Sequence, residues 1–525
     1  MECSIHRSLM NAYIPAVVIS LAALHTTLPA QELERGAYLQ NGSMDAMTVR
    51  WRTKSPTDSV VRYGETRENL NHSATMIGQS TEHEVRLTGL TPGTKYFYSI
   101  GTTQGPIAGN ASYFFITHPA SAKRTRVWVI GDSGTGNADQ RRVRDAYRDF
   151  TGSTHTDLWL MLGDNAYDAG TDSEYTRNLF AIYPAMLRNS VLWATLGNHD
   201  AKNSSSSTQQ GPYYSQFTFP KNGGSGGVPS GTEAYYSFDY GNIHFVCLDS
   251  ADSDRAADGP MAKWADKDLR ANTKDWTIVF FHHPPYSKGS HDSDTESELI
   301  AMRENFTPLL EARGVDLVLC GHSHGYERSK FIDGHQGPSS TFRKSMVLQT
   351  GSGKGAGAYT KPSLGPQPHA GTVYTVAGCS GKLEGGPHDH PAMWVSEETF
   401  GSLVLDIDGN QLTSTFIDDT GKKRDSFSIL KGAPPKPVVK ITRPADGAVF
   451  TAPATFSIQA DASETGGTIA KVEFYRGKKL LATDRSPPYR FTWKNVPAGT
   501  WNLSAVATDK RGATARSGMV SVRVK

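Results

Sequence analysis

Cysteine is scarce in this chain, with four residues in 525. Cys3 lies in an N-terminal segment expected to be removed, which leaves Cys247, Cys320 and Cys379. An odd remainder gives no disulfide framework, though one bridge is compatible with the count. Two of the three stand in apolar, strand-like runs, where a thiol packs as a small hydrophobe. Net charge is also lacking: 54 Lys and Arg face 52 Asp and Glu, a formal +2. That offers no footing for a nucleic-acid polymer or an anionic membrane, which need clustered cations. Long apolar runs are absent too. The stretch from Ala12 to Leu24 follows Arg7 and precedes Leu28-Pro29-Ala30. It is too short to span a bilayer comfortably and has the form of a signal peptide over residues 1–30. The expectation is a secreted or periplasmic protein with no integral membrane span.

What the chain does have is five short motifs, each at the end of an apolar run: GDSG (131–134), GDNAY (163–167), GNHD (197–200), VFFHHP (279–284) and GHSH (321–324). The runs before them are Val127 to Ile130, Leu158 to Leu162, Val191 to Leu196, Thr277 to Phe281 and Asp316 to Cys320. Short, continuously apolar segments bounded by Gly or Pro read as buried strands. Ligands of an open α/β sheet bind at the carboxyl ends of its strands, so all five motifs can converge on one rim. Their carboxylates, amide, imidazoles and phenol form the donor set of a two-metal hydrolase.

The constellation resembles the calcineurin-like metallophosphoesterases and, within them, the purple acid phosphatases. The pattern DxG, GDxxY, GNH plus an acid (here Asp200), VxxH and GHxH stands complete, and Tyr167 fills the slot that distinguishes the narrower family. The resemblance implies that Asp132, Asp164, Tyr167 and His324 hold one metal. It implies that Asp164 bridges to a second metal, which also takes Asn198, His282 and His322. Phenolate and carboxylates suit Fe(III), while imidazoles and an amide suit divalent Fe, Zn or Mn. His199 is expected to contact the phosphoryl group, and His291 to orient the substrate or protonate the leaving group. V-x-x-H counted from Val279 selects His282, and His283 is left as a supporting donor or a packed residue.

Other features read as structure. Gly351-Ser-Gly-Lys-Gly-Ala-Gly lacks P-loop spacing and reads as a loop. Residues 202–230 read as a surface insertion pinned by Tyr213, Tyr214, Phe217 and Phe219. His388 and His390 read as an exposed loop, and Asp249 and Ser250 as rim packing. Around Arg141, Arg142 and Arg144 the pattern predicts a helix whose apolar stripe is Val143, Ala146, Tyr147 and Phe150.

Two β-rich modules flank the motif-bearing segment. Residues 31–120 alternate as short strands, including Thr48–Thr53 and Val60–Tyr63. Leu87 to Tyr98 resembles the corner of a fibronectin type III domain, with Tyr96 as its tyrosine. After a stiff linker over 431–437, residues 438–525 resemble the bacterial Ig-like domains of secreted enzymes. The expected fold is an α/β metallophosphoesterase core over 121–430, a β-sheet sandwich flanked by helices, with all-β sandwich domains at both ends.

The expected function is a secreted acid phosphatase that hydrolyses phosphate monoesters of small molecules or phosphoproteins. The resemblance implies in-line attack by a metal-bound hydroxide. A phosphodiesterase or nucleotide pyrophosphatase on the same scaffold is the alternative. A non-catalytic cell-surface binding protein is the remote one, since every ligand position is filled. The C-terminal module is expected to contact a cell surface or polysaccharide.

Overall fold

The computed structural model describes residues 1–2, 32–121, 124–432, 436–464, 468–510 and 512–525. The expected signal peptide and part of the linker lie outside the described residues. Among those residues, no helix is long and apolar enough to cross a membrane.

Two seven-stranded sheets form the central unit. The first runs in the order Tyr359–Lys361, Lys423–Lys431, Gln411–Asp418, Gly401–Asp408, Thr125–Ile130, Leu158–Met161, Val191–Ala194. Its last three strands are mutually parallel. The second runs Tyr236–Tyr240, Ile243–Cys247, Trp276–Phe281, Leu317–Cys320, Val373–Ala377, Tyr326–Ser329, Met393–Glu397. Its parallel stretch comprises the second to fifth strands. Apart from half-buried Arg126, the five strands that carry the motifs are buried along their length, which is why they read as apolar runs. Each large apolar side chain removed from water there contributes roughly 1.5–3 kcal/mol.

The helix predicted around Arg141 spans Ala138–Thr151, capped by Asn137 and closed at Gly152. It lays Tyr147 flat on Trp128, ring centroids 4.5 Å apart. Phe150 departs from the expected stripe: in the helix's last turn it is 39% exposed, with the Arg126 guanidinium over its ring.

In the N-terminal module, the expected strands Thr48–Thr53 and Val60–Tyr63 are one strand, Ala46–Gly64. It pairs with His72–Thr88 through two register shifts near Thr57, so the turn residues between the apolar runs bend the strand without ending it. Tyr96 accepts the Thr91 N–H at 3.0 Å, a tyrosine corner. The module's core is continuous with that of the central sheets. The insertion is pinned by its aromatics, Tyr213, Tyr214, Phe217 and Phe219, which are all buried, while many of its polar residues stay exposed. The Tyr38 hydroxyl and the Arg50 guanidinium of the N-terminal module donate to the Gln216 and Ser215 carbonyls. Residues 438–524 form two further sheets around a separate core.

Candidate metal centre

Five strands deliver the motif side chains to one rim, three from the first sheet and two from the second. The same local device recurs. Asp132, Asp164 and His322 each follow a glycine and adopt left-handed backbone, φ 53°, 51° and 66°. Such conformations cost of order 1–3 kcal/mol in non-glycine residues and persist only where the surroundings hold them. Here backbone amides do so: the Asp132 carboxylate accepts the His322 N–H at 2.8 Å, and the Asp164 carboxylate accepts the His199 N–H at 2.9 Å.

The side chains gather into two knots. In one, the Tyr167 hydroxyl donates to Asp132 Oδ1 at 3.1 Å and lies 3.4 Å from His324 Nε2, which is 3.6 Å from the same carboxylate. In the other, Asn198 Oδ1 lies 2.9 Å from His282 Nε2 and 3.1 Å from His322 Nδ1. The two imidazoles are 3.3 Å apart, and His282 Nε2 is 3.5 Å from Asp164 Oδ1. Asp132 and Asp164 are buried. Burial would raise the Asp132 carboxyl, but His324, His282 and His322 outweigh it and lower its pKa. Burial and the carboxylates of Asp132 and Asp164 raise the Tyr167 phenol well above its ordinary value. Burial pushes His322 down to about 4, against the pull of Glu296.

His282 donates its Nδ1 proton to the Leu162 carbonyl at 2.7 Å, which turns the Nε2 lone pair to the centre. His283 is turned differently, although one of its ring nitrogens lies within 4.8 Å of nitrogens of His282 and His322. Its Nδ1 meets Ser250 Oγ at 3.0 Å, and its ring packs against His322. Asp249 accepts Ser206, Ser253 and two backbone amides, a packing role with Ser250. Asp200 sits behind the rim. It accepts the amides of Asn165 and Gly197 and the Tyr175 hydroxyl at 2.6 Å, tying the second and third loops together. Burial, with Asp164 nearby, pushes its carboxyl up to about 7.

His199 stands at the mouth, edge-on to Tyr167. It donates Nδ1–H to the Asp168 carbonyl at 2.6 Å, and Nε2 lies 3.9 Å from Asp164. The His291 ring lies 3.8 Å from that of His322. Two residues without a sequence signal complete the site. Glu296 binds His291 Nδ1 at 2.9 Å and His322 Nε2 at 3.2 Å. Glu384 binds His324 Nδ1 at 2.7 Å. Both stand in loops, one five residues from His291 and the other within Gly-Lys-Leu-Glu-Gly, where nothing marks a carboxylate as functional. His390 was expected in an exposed loop but is buried beside His335 and Tyr286, and His388 is half-buried. The rings of Tyr286 and His335, with buried Ala392 close by in the chain, surround His390.

The donor chemistry fits a pair of cations. Buried carboxylates and aimed imidazole lone pairs lie within coordination reach of one another, and Asp132, Asp164 and His282 form one such group. Carboxylate partners on the far nitrogens of His324 and His322 are the outer support usual for ligating histidines.

Two packed sheets presenting this donor set at the ends of their parallel strands define a metallophosphoesterase. Residues 125–326 match the calcineurin-like phosphoesterase family, 36–117 the purple acid phosphatase N-terminal domain and 437–514 the bacterial Ig domain. The chain thus carries a calcineurin-like phosphoesterase domain, preceded by a domain that matches the purple acid phosphatase N-terminal domain and followed by a bacterial Ig-like domain. It is 27% identical over 328 residues to purple acid phosphatase 15 of Arabidopsis thaliana, covering 52% of this chain and 57% of that protein. Purple acid phosphatase 22 of the same plant gives 27% over 309 residues, 55% and 65%. The chain thus spans less than two thirds of the length of these relatives. An uncharacterised Mycobacterium tuberculosis protein is 26% identical over 458 residues, 75% of this chain and 82% of that one. In fold, the chain is similar to purple acid phosphatase PPD1 from yellow lupin seeds, with TM-score 0.59, 19% identity and coverage of 76% and 75%. It is also similar to PhoD, with TM-score 0.55, 14% identity and coverage of 77% and 91%.

Proposed function

We propose that the chain is a secreted or periplasmic acid phosphatase that hydrolyses phosphate monoesters at a binuclear centre. Support comes above all from the division of donors into two knots with Asp164 between them. Asp132, Tyr167, His324 and Asp164 would hold Fe(III), and Asp164, Asn198, His282 and His322 a divalent Fe, Zn or Mn. When bound, the two ions supply Lewis acidity and lower the pKa of water.

The remaining work falls to this chain's side chains. His199, its Nδ1 held on the Asp168 carbonyl, turns Nε2 toward a phosphoryl oxygen. His291, oriented by Glu296, carries a proton for the departing alkoxide. Asp200 holds the Asp164 and Asn198 loops in register and donates to neither substrate nor ion. Phosphorylated small molecules or phosphoproteins are the proposed substrates.

Elemental analysis with a visible spectrum on one purified sample tests this reading, together with rates on an aryl monophosphate and the matching bis-aryl diester. The expected result is one iron plus a second metal, a visible charge-transfer band and preference for the monoester. Two metals without colour would remove Tyr167 from the iron, and diester preference would replace monoesterase by phosphodiesterase. No metal uptake would end the catalytic reading.

A further inference from the structure

The near-zero net charge of the whole chain conceals a division. Residues 437–525 carry 14 Lys and Arg against 6 Asp and Glu, a surplus of eight positive charges, so residues 1–436 carry a net −6. The Ig-like domain is therefore a basic module on an acidic body, and it has the surplus of cations that the whole chain lacks.

The sheet formed by Val438–Arg443, Ala454–Ser463 and Tyr489–Val496 gives the surplus a place. One of its faces is core: Phe456, Ile458 and Ala460 on the central strand oppose Trp493, Phe491 and Tyr489. On the other face, Arg443, Gln459 and Arg490 form one row across the three strands. Ser457 and Thr492 form the next row, and Lys494 stands two residues further on. Lys440 lies at the opposite end, across from Asp461. Arg443, Arg490, Lys494 and Lys440 are exposed. None of the four makes a side-chain ion pair among the described residues, although the Asp484 carboxylate accepts the Arg490 backbone N–H at 2.9 Å and feels its charge; the domain's described ion pair, Lys471 to Glu473, belongs to the other sheet. From strand spacing, Arg443 and Arg490 are about 10 Å apart, and Lys494 lies roughly 13 Å along the strand from Arg490.

We propose that this face docks an anionic polysaccharide, tethering the enzyme to a surface rich in acidic sugars. Unpaired cations at these separations answer acidic groups repeated along a polymer, and the Ser457, Gln459 and Thr492 side chains between them offer hydrogen bonds to sugar hydroxyls. The aromatic rings of the strand point to the core, so the face has no platform on which nucleic-acid bases could stack. Apart from Val438 at one corner it presents no large apolar side chain to bury in a bilayer.

The test is affinity electrophoresis of the full chain through gels containing polygalacturonate, with dextran gels as the neutral reference. Duplex DNA and anionic phospholipid vesicles serve as competing probes. Arg443→Gln, Arg490→Gln and Lys494→Gln are combined in one variant, and Lys478→Gln, Lys479→Gln and Lys510→Gln, elsewhere on the domain, in a control of equal charge change. Thermal melts establish that both variants are folded. The expected result is retardation by polygalacturonate alone, lost with added salt. Binding should be weakened about tenfold or more in the face variant and by less than about threefold in the control. No retardation, or tighter binding to DNA or vesicles, would overturn the proposal. Equal weakening of both variants would too, because binding would then follow net charge and not this face.

Discussion

At the scale of single residues, the rim is built by glycines and by charges with few alternatives. A Cβ on Gly197 would overlap the backbone nitrogen and Oδ1 of Asp164, the residue that would bridge the two ions. Gly197→Ala is therefore expected to lower kcat on an aryl phosphate by about a hundredfold or more, because misplacement of about 1 Å suffices for that. Bound-metal content on the same sample would fall with it. A second residue acts far from chemistry. Buried His244 sits between Asp239 at 2.7 Å and Asp268 at 2.8 Å. Burial alone would lower its pKa, but the two carboxylates raise it to about 9 from an ordinary 6.5. The folded state thus binds the proton more tightly than the unfolded one. The resulting stability, about 3 kcal/mol, is complete below pH 6.5 and is lost as pH rises through 9. Urea midpoints of the parent are expected to fall across that window, and those of His244→Gln to stay nearly flat.

At the scale of elements, the N-terminal module braces the metal centre through one short helix. Buried Arg35 donates to the Asp172 carboxylate at 2.7 Å and to Thr176 Oγ1, while Arg52 binds the other Asp172 oxygen at 2.7 Å. Asp172 begins the helix Asp172–Tyr175, closed by a capping box of Thr171 and Glu174. Its last residue, Tyr175, holds Asp200, and Asn178 in the next turn donates to the Tyr167 carbonyl at 3.0 Å. Arg35→Met is expected to cost about 2 kcal/mol in urea unfolding, less than a fully buried pair would because Asp172 is half exposed. Tyr175→Phe should remove a bond worth about 1–2 kcal/mol and reduce kcat several-fold, with KM little changed. Equal stability and rate in both variants would show that the module is not coupled to the site.

At the scale of the whole molecule, the N-terminal and central units share one core, whereas residues 438–524 have their own. A chain ending at Gly432 is therefore expected to melt within about 2 °C of the catalytic transition of the full protein and to keep its rate on a soluble aryl phosphate within about twofold. Differential scanning calorimetry would resolve a second transition present only in the full chain. A large loss of rate on truncation would mean that the Ig-like domain supports the site directly.

The five motifs were legible because catalytic geometry forces short-range patterns. A side chain at the end of a buried parallel strand needs an apolar run before it and a glycine beside it, and both are local. The sequence alone therefore determined the α/β core, the β modules at either end and the residues that meet at the rim. It could not determine how the rim is divided between two sheets, since strand neighbours such as Leu317–Cys320 and Val373–Ala377 are some fifty residues apart in the chain. Glu296 and Glu384 were invisible for the same reason: a loop carboxylate gains its meaning only when folding brings a histidine to it. The fusion of two expected strands into Ala46–Gly64 and the entry of His390 into the core were also decided by tertiary packing. In each, polar and glycine-rich local composition argued for the surface, while apolar contacts with distant elements offset that preference. Charge behaves alike: the sum is read from composition, but only the pairing of three strands sets Arg443 and Arg490 in one exposed row.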